Sequence, residues 1–364
     1  MRRMIVVLAL FATHAALAQS FNYLYKNGED GYKCYRIPAM VTTVKGAVLA
    51  FAEARKNNCG DAGDIDLVLR RSEDGGKTWG PMTVIWNDST NTCGNPTPIV
   101  DEQTGAVVLL STWNLGEDHE KAIKDRTGKN TRRVFVLSST DDGRTWSTPR
   151  EITSEVKPDN WTWYATGPGR GIQVSKGKHK GRLIVPCNHV EAVTRNNYSH
   201  VIYSDDHGNS WRLGGIAQDS TNEATVAQLS NGHLLLNMRN TGKPRYRQIA
   251  ISKNAGKKWS AAPADTALVE PVCEGNLIQY KFPGKKECLI FSNPASTTAR
   301  VGMTVKVSYD DGRTWVLRKT LYEGPSAYSC LTVLPDGKLA CLYEAGVQRP
   351  YEGIVMEEVA IDLK

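Results

Sequence analysis

The stretch SYDDGRTW at residues 308–315 is one of five related segments in this chain, and each of the five ends in tryptophan. The other four are SEDGGKTW (72–79), STDDGRTW (139–146), SDDHGNSW (204–211) and SKNAGKKW (252–259). Their first serines are 67, 65, 48 and 56 residues apart. A short segment that recurs at such a spacing predicts a repeat architecture, in which each copy marks one structural unit.

Each segment has the composition of a tight turn between two strands. An Asp or Asn at the third position can accept hydrogen bonds from backbone N–H groups that follow it. The glycine two places later takes a positive φ without steric cost, and the tryptophan supplies a large apolar anchor. Four copies have Asp at the third position, whereas the fourth has Asn254 and is degenerate. We interpret the five segments as structural hairpin turns and not as ligand sites.

The rest of the sequence favours a single all-β domain. β-rich runs such as DLVLRR (66–71) and RVFVL (133–137) precede the turns, which is typical of strands leading into hairpins. The chain has 364 residues with 32 glycines and 16 prolines, and no linker or low-complexity tract divides it. We expect a six-bladed β-propeller over residues 19–364, in which the chain after Trp315 and residues 23–54 complete the sixth blade. A pair of β-sandwiches is the less favoured alternative.

The first 18 residues have the pattern of a secretory signal peptide. Two arginines follow Met1, an apolar run covers residues 5–12, and Ala16-Leu17-Ala18 forms a small-residue cleavage site before Gln19. The apolar run is too short to cross a bilayer, and no later run is long enough, so no transmembrane segment is expected. The sequence therefore predicts export, to the periplasm or the medium.

Charge and cysteine content set weaker limits. The net charge of +7 falls to +5 when the two signal-peptide arginines are removed, which suits an anionic substrate but also an ordinary solvated surface. Basic and aromatic residues do not interleave as in nucleic-acid-binding proteins, so no nucleic-acid partner is expected. The protein is expected to be a monomer. One or two disulfides are possible among the eight cysteines, with the pairing left open, and no CxxC or HExxH pattern indicates a metal.

A second motif adds a functional expectation. Tyr35-Arg36-Ile37-Pro38, together with the five Asp-containing turns (Asp boxes), resembles the sialidase (neuraminidase) family of bacterial and animal exo-α-sialidases. The resemblance covers essentially all of the chain after the signal peptide. It implies a six-bladed β-propeller that removes terminal sialic acid from glycans, without a cofactor or metal and with sialylated glycans as its partners.

The resemblance also implies the anion-binding residues. Sialic acid carries a carboxylate on its anomeric carbon, and arginine offers planar bidentate donors to such a group. Arg36, Arg239 and Arg300 match the family's three carboxylate-binding arginines. Arg55 matches an arginine near O4 of the sugar, and Glu344 matches the glutamate that orients the first arginine of the three.

The predicted nucleophile is a tyrosine. A carboxylate nucleophile would be repelled by the carboxylate of the substrate, and sialidases are the known exception that uses tyrosine. Tyr328 matches that nucleophile and Glu223 its partner base, which a phenol needs in order to attack at neutral pH.

The predicted acid/base residue is Asp61, in a loop six residues after Arg55. Asp64 and Asp66 lie close to it and compete for the same role. Either Trp161 or Trp163 is expected to flank the sugar, and the segment GPGRGI (167–172) is expected to form a blade edge at the pocket.

Two other functions remain open from the sequence. A trans-sialidase, or an intramolecular enzyme that releases an anhydro sugar, would share all of these residues. A lectin that binds sialic acid without cleaving it would keep the arginines but has no need of Tyr328, Glu223 and Asp61.

Overall fold

The structure, a computed structural model, describes residues 21–282 and 284–361 of the chain. The predicted signal peptide (1–18) lies outside these residues. Within them the chain forms twenty-four β-strands and two short α-helices. The strands are β1 (Tyr23–Lys26), β2 (Cys34–Thr42), β3 (Val48–Arg55), β4 (Ile65–Ser72), β5 (Thr83–Trp86), β6 (Thr92–Val100), β7 (Val107–Asn114), β8 (Arg133–Ser139), β9 (Arg150–Glu151), β10 (Trp161–Thr166), β11 (Ile172–Gln173), β12 (Leu183–Glu191), β13 (Asn197–Ser204), β14 (Arg212–Asp219), β15 (Thr221–Gln228), β16 (Leu234–Asn240), β17 (Tyr246–Ser252), β18 (Ala264–Val269), β19 (Asn276–Lys281), β20 (Glu287–Pro294), β21 (Val301–Ser308), β22 (Val316–Val333), β23 (Leu339–Ala345) and β24 (Gly353–Val359), and the helices are α1 (Glu120–Asp125) and α2 (Thr153–Val156).

The strands form six antiparallel units that follow one another along the chain. Strands β2–β5, β6–β9, β10–β14 and β15–β18 make the first four units. The fifth contains β19, β20, β21 and the first part of β22, which pairs with β21 as far as Pro325. The sixth contains the rest of β22 with β23, β24 and β1. The sequence expectation for the sixth blade was therefore only partly right: β1 and the chain after Pro325 complete it, whereas β2 and β3 belong to the first unit and residues 316–325 to the fifth.

The six units close into a ring. Neighbouring units contact each other through the strand pairs β2–β6, β6–β10, β12–β15, β15–β19, β19–β22 and β22–β2. Strands β10 and β12 belong to the same unit. One apolar cluster fills each gap between units, with side chains from both sides. Leu110 and Val185, for example, meet between the second and third units, and Met40 and Leu342 meet between the sixth and first. This arrangement confirms the predicted all-β, six-bladed propeller.

The five Asp-box turns have the predicted geometry. In every copy the first serine hydroxyl accepts the N–H of the glycine at 2.8–2.9 Å, and each of these glycines has a positive φ. The third residue accepts the N–H of the seventh at 2.8–2.9 Å, including the degenerate copy, where Asn254 replaces Asp. Each closing tryptophan packs against one of the clusters between blades. The turns are therefore structural.

Two further features of the fold answer questions left by the sequence. Cys34 and Cys59 form a disulfide between the start of β2 and the loop after β3. The other six cysteines are buried and free. In the described part of the chain, neither helix has the length and apolar composition needed to cross a membrane.

Candidate active site

The predicted site residues lie at one end of the central channel. The inner strands of the blades all run in the same direction along the central channel. Their first halves therefore meet at the same end of it. A cavity of about 350 Å³ opens there. Seven of the eight predicted residues line it, and Glu344 lies behind its wall. The residues are Arg36, Arg55, Asp61, Glu223, Arg239, Arg300 and Tyr328.

Irregularities in strand pairing aim side chains into this cavity. The register between inner and second strands shifts at Arg36–Ala39, Gly94–Thr97, Trp161–Tyr164, Thr221–Ala224 and Ser326–Ser329. Bulges of this kind bend a strand and redirect a side chain. Five of the six inner strands are therefore locally distorted at the end where the site lies.

The three predicted anion-binding arginines surround one tyrosine. The guanidinium carbons of Arg36 and Arg300 lie 5.2 and 5.5 Å from the centre of the Tyr328 ring. Arg239 Nη1 donates a hydrogen bond to the Tyr328 hydroxyl at 3.1 Å. Three cations from three different blades thus meet at a single point, which is an arrangement suited to holding one anion.

Glu344 fixes both an arginine and the backbone of that tyrosine. Its carboxylate is fully buried and accepts Arg36 Nε at 2.9 Å and Nη2 at 3.1 Å. It also accepts the backbone N–H of Tyr328 at 3.1 Å and that of Ile37 at 2.9 Å. Ile37 has a φ of 59°, which is strained for a β-branched residue. The bond from Ile37 to Glu344 helps to hold this conformation beside Arg36.

The Tyr328 hydroxyl donates to Glu223 Oε1 at 2.5 Å, and the other oxygen of Glu223 accepts Arg239 at 2.5 Å. Burial raises the pKa of Tyr328 well above its ordinary value, and the charge of Glu223 raises it further, while Arg239 and Arg300 lower it. The phenol is therefore protonated at neutral pH, with its proton already directed at a carboxylate.

Arg300 is held without a carboxylate. Its Nη1 donates to the Tyr351 hydroxyl at 2.7 Å and its Nη2 to the carbonyl of Val272 at 2.9 Å. Tyr351 also lies beneath Arg36, whose guanidinium is 4.1 Å from the ring centre. Tyr351 was not predicted, because it lies in a loop between β23 and β24 that carries no motif.

Asp61 lies at the mouth of the cavity, with its side chain 67% exposed. Its Oδ1 accepts Arg55 Nη1 at 2.7 Å, and Arg55 also binds the carbonyls of Cys59 and Gly60. Desolvation raises the pKa of Asp61, but the charges of Arg55 and Arg36 outweigh this effect, so the pKa lies below its ordinary value. The free protein therefore carries Asp61 as a carboxylate at neutral pH.

The competing aspartates do not line the cavity. Asp66 is buried and accepts the Tyr32 hydroxyl and the Asn87 amide, both at 2.5 Å. Asp64 is half-buried outside it. Of the three carboxylates in this stretch, the structure brings only Asp61 to the cavity.

The opposite wall contains residues that the sequence did not reveal. Glu53 accepts Arg55 at 2.6 Å and the N–H of Asn95 at 2.7 Å. Arg132 is buried and lies 4.2 Å from the centre of the Trp163 ring. Glu53 could have been noticed in the sequence, because it is a charged residue inside the apolar run before Arg55. The sequence around Arg132 contains no comparable signal of a site residue.

Of the two candidate tryptophans, Trp163 reaches the cavity and Trp161 does not. The Trp163 side chain lines the cavity. Trp161 is buried in the gap between two blades and stacks on His189 with ring centres 3.3 Å apart.

A second groove of about 430 Å³ adjoins the cavity on the Asp61 side. Asp61, Glu120 and Lys124 line both spaces. The outer wall comes from the Asp61 loop, the region of α1 and a distant arginine, namely Ala62, His119, Lys121 and Arg195. The site therefore continues past Asp61 toward α1.

Among the described residues, no group of three or more His, Cys, Asp or Glu side chains is placed to hold a metal ion.

Comparison with known proteins agrees with this geometry. Residues 46–341 match the family described as "BNR repeat-like domain". The chain is 36% identical over 340 residues to a sialidase of Bacteroides fragilis, covering 88% of this chain and 61% of the relative. It is 33% identical to an exo-alpha-sialidase of Aspergillus fumigatus, covering 86% of this chain and 79% of the relative. The solved structure titled "Hadza microbial sialidase Hz136" superposes with a TM-score of 0.82 at 31% identity, covering 93% of this chain and 68% of that one.

These likenesses and the propeller place the molecule among β-propeller proteins built from Asp-box repeats. The chain belongs to the sialidase family. It spans less than two thirds of the length of the Bacteroides relative.

Proposed function

We propose that this chain is an exo-α-sialidase, a glycoside hydrolase that removes terminal α-linked sialic acid from glycans with retention of configuration. The observation that carries the proposal is the Tyr328 hydroxyl, which donates to Glu223 within a ring of three arginines. A buried phenol beside a carboxylate and next to an anion site has the parts needed for attack on a carbon that bears a carboxylate.

Substrate binding depends on the three arginines. The carboxylate of the sialic acid would lie between Arg36, Arg239 and Arg300. Arg36 and Arg239 are each paired with a glutamate, whereas Arg300 is held by neutral groups. Arg300 therefore contributes most of the uncompensated positive charge that attracts the anion.

The first chemical step forms a covalent intermediate. The Tyr328 oxygen attacks the anomeric carbon, and its proton passes to Glu223 along the existing hydrogen bond. The bond between the anomeric carbon and the glycosidic oxygen breaks, and Asp61 donates a proton to the departing oxygen. The leaving sugar then occupies the groove beside α1, because that groove begins at Asp61.

Asp61 needs a proton for this step although its pKa is low in the free protein. Arg36 contributes to that low pKa and also faces the bound substrate. The substrate carboxylate would offset the charge of Arg36 and raise the pKa of Asp61 in the complex. Binding of the correct anion thus prepares the acid.

In the second step, Asp61 acts as a base and Glu223 returns the proton that it took up. Asp61, now a carboxylate, removes a proton from a water molecule that attacks the same carbon. The bond between Tyr328 and the sugar breaks, and the phenolic oxygen recovers its proton from Glu223. Two inversions at one carbon leave the product with the configuration of the substrate.

The test is Tyr328→Phe, assayed with 3′-sialyllactose and with a fluorogenic aryl sialoside. We expect both rates to fall by at least about 10³-fold, because the nucleophile is lost. Tyr322→Phe is the matched control, since Tyr322 lies on the same strand and bonds only to the carbonyl of Gly346 outside the cavity. Undiminished turnover by the Tyr328 variant would refute the mechanism. NMR analysis of the first-formed product distinguishes hydrolysis from transfer to lactose and from release of an anhydro sugar.

Export is part of the same proposal. The N-terminal signal pattern and the Cys34–Cys59 disulfide both suit a compartment outside the reducing cytoplasm. N-terminal sequencing of the protein recovered from the medium or periplasm tests cleavage after Ala18, and a retained Met1 in the cytoplasmic fraction would refute it.

A further inference from the structure

A second and larger cavity, of about 560 Å³, lies at the other end of the central channel. It is lined by the last residues of the inner strands, among them Thr42, Val100, Gln228, Gln279 and Val333. Arg36, Glu223 and Tyr328, which line the first cavity, lie five or six residues earlier on the same strands. At a rise of about 3.3 Å per residue, four to six residues of strand separate the two cavities by about 13–20 Å.

Arg170 is the cation that lines this second cavity. The segment GPGRGI was predicted to border the active-site pocket, and this was wrong, because Arg170 and Gly171 border the opposite cavity. The backbone is fixed against β6, since the N–H groups of Gly169 and Gly171 donate to the carbonyls of Pro96 and Pro98 at 3.4 and 3.1 Å. A Cβ at Gly171 would come within 2.5 Å of Ile99, so this segment packs closely on the neighbouring blade.

The Arg170 side chain is half-buried, and the charge of the exposed Glu102 acts on it. Its Nε is buried without a hydrogen bond, and the guanidinium forms no hydrogen bond or salt bridge with the described residues. The buried Arg247 shows the usual solution, because it binds Asn237, Glu270 and a backbone carbonyl. A buried polar atom without a partner is costly, and desolvation lowers the pKa of Arg170 although the charge of Glu102 raises it.

The surroundings of Arg170 suit a small anion. The hydroxyls of Thr42 and Thr332 lie 3.4 Å apart on the cavity wall, whereas the hydroxyl of Ser175 already donates to Gln228 Oε1 at 2.9 Å. Ile99, Ile278 and other apolar side chains line part of the remainder. One carboxylate, Glu102, also lines the cavity, on an exposed residue.

We propose that this cavity is a second ligand site, distinct from the active site, which binds a compact oxyanion through the guanidinium of Arg170. The shared chemistry is a carboxylate or phosphate group, which a guanidinium binds through two parallel N–H donors. The free backbone N–H groups of a phosphate-binding loop are not involved, since those of Gly169 and Gly171 are already bonded. The site is independent of the sialidase reaction.

The experiment measures thermal unfolding of the full chain during titration with sodium phosphate and, separately, with sodium acetate, at constant ionic strength. The wild-type midpoint is expected to rise saturably with at least one of the two, which also identifies the preferred group. Arg170→Gln should weaken the apparent affinity by at least about tenfold, the loss expected for a charge-assisted bond. Glu102→Gln should strengthen it, because a competing negative charge is removed.

The active site also binds anions, so Arg300→Gln is the matched variant. A saturable response that keeps its affinity in Arg300→Gln and is at least about tenfold weaker in Arg170→Gln supports the proposal. A response whose affinity is unchanged in Arg170→Gln, or that only Arg300→Gln weakens, overturns it. A wild-type midpoint that neither salt moves also overturns it.

Stability without added anion provides a second readout. Arg170→Met should leave the unfolding midpoint unchanged or raise it, because the guanidinium forms no hydrogen bond or salt bridge with the described residues. A clear fall in the midpoint would show that Arg170 is structural and would overturn the proposal. Turnover of the aryl sialoside should be unchanged in both Arg170 variants, which separates this inference from the proposed sialidase function.

Discussion

Single buried carboxylates determine where the arginines of the site point. Glu344 holds Arg36, and Glu223 holds Arg239. Glu344 also accepts two backbone N–H groups, and Glu223 also accepts the Tyr328 hydroxyl. A buried ion pair is tolerated when such additional hydrogen bonds satisfy its remaining polar atoms. The arginines proposed to bind substrate are thus oriented by buried glutamates.

The proposed acid gives a prediction at this scale. Asp61→Asn should lower kcat/KM for 3′-sialyllactose by about 10²–10⁴-fold, the range for loss of a general acid. The loss should be smaller for an aryl sialoside, whose leaving group needs little protonation. Asp64→Asn, in the same loop but outside the cavity, is the control and should retain activity.

The pH profile of the wild-type enzyme tests the same residue. Activity should fall as pH rises through the pKa of Asp61. This fall should occur at higher pH for kcat than for kcat/KM, because bound substrate raises that pKa. Coincident profiles for kcat and kcat/KM would show that substrate does not alter the proton affinity of Asp61.

A buried lysine gives a prediction about stability. Burial, together with the charges of Arg132, Arg126 and Arg133, lowers the pKa of Lys157 to about 7 from 10.5. Between these two pH values the unfolded chain binds a proton that the folded chain does not. This group therefore makes the folded state more stable as pH rises from 7 toward 10, by up to about 1.4 kcal/mol per pH unit.

Urea unfolding of wild type and Lys157→Met at pH 7 and pH 9 measures the effect. The gain in unfolding free energy between the two pH values should be smaller in the variant by about 2 kcal/mol. Lys121→Met, at a lysine that is 90% exposed, is the control. Equal gains in wild type and Lys157→Met would contradict the lowered pKa.

At the scale of elements, the inner strands do more than form the core. Strand β22 pairs with β21 in one blade and with β23 in the next, and its register shifts where it passes between them, next to Tyr328. Similar shifts occur near Arg36 and Glu223. A regular strand would alternate side chains between its two faces. The shifts instead direct Arg36, Glu223 and Tyr328 into the channel.

The loop that carries Asp61 is restrained by the Cys34–Cys59 disulfide and by Arg55. The double variant Cys34→Ser/Cys59→Ser should lose about 2–4 kcal/mol of stability, the usual value for a loop of this size. Its kcat for sialyllactose should fall as well, because Asp61 lies two residues from Cys59. Chemical denaturation and steady-state kinetics measure the two effects.

Cys288→Ser is the control for that experiment. Cys288 is a buried free cysteine that bonds to the carbonyl of Tyr280, a bond that serine can replace. If the double variant matched this control in both stability and kcat, the disulfide would have no role in the acid loop.

At the scale of the whole molecule, the ring is closed by the N-terminal strand. Strand β1 pairs with β24, and Tyr25 is buried, with its hydroxyl donating to the carbonyl of Ala50 at 2.6 Å. Tyr25 therefore joins the sixth blade to the first. Without β1, the edge of β24 would be exposed and the gap between these blades would lose an aromatic side chain.

A chain that begins at Gly28 should therefore be less stable than one that begins at Phe21, by about 3–5 kcal/mol or more, the cost of removing a large buried aromatic. Thermal unfolding and sedimentation measure the loss and any aggregation through the exposed edge. Tyr25→Phe should cost only about 1–3 kcal/mol, because it removes one buried hydrogen bond. Equal stability of the two truncated chains would show that closure does not depend on β1.

Features that depend on a few neighbouring residues were determined by the sequence itself. The Asp-box turns follow from local hydrogen bonds and one positive φ, and their number and spacing gave the propeller. The motif around Arg36 indicated the family, and from it the eight site residues that the structure brings to one end of the channel.

Only the tertiary structure decided which of several equivalent residues belong to the site. Asp61, Asp64 and Asp66 are alike in sequence, as are Trp161 and Trp163. The path of the loop between β3 and β4 brings Asp61 to the cavity, and the register shift in β10 lies between the two tryptophans. Tyr351 contacts Arg36 from more than 300 positions away in the chain, and Arg170 borders the opposite cavity. Such contacts arise when the ring closes, because closure joins segments whose sequences carry no information about each other.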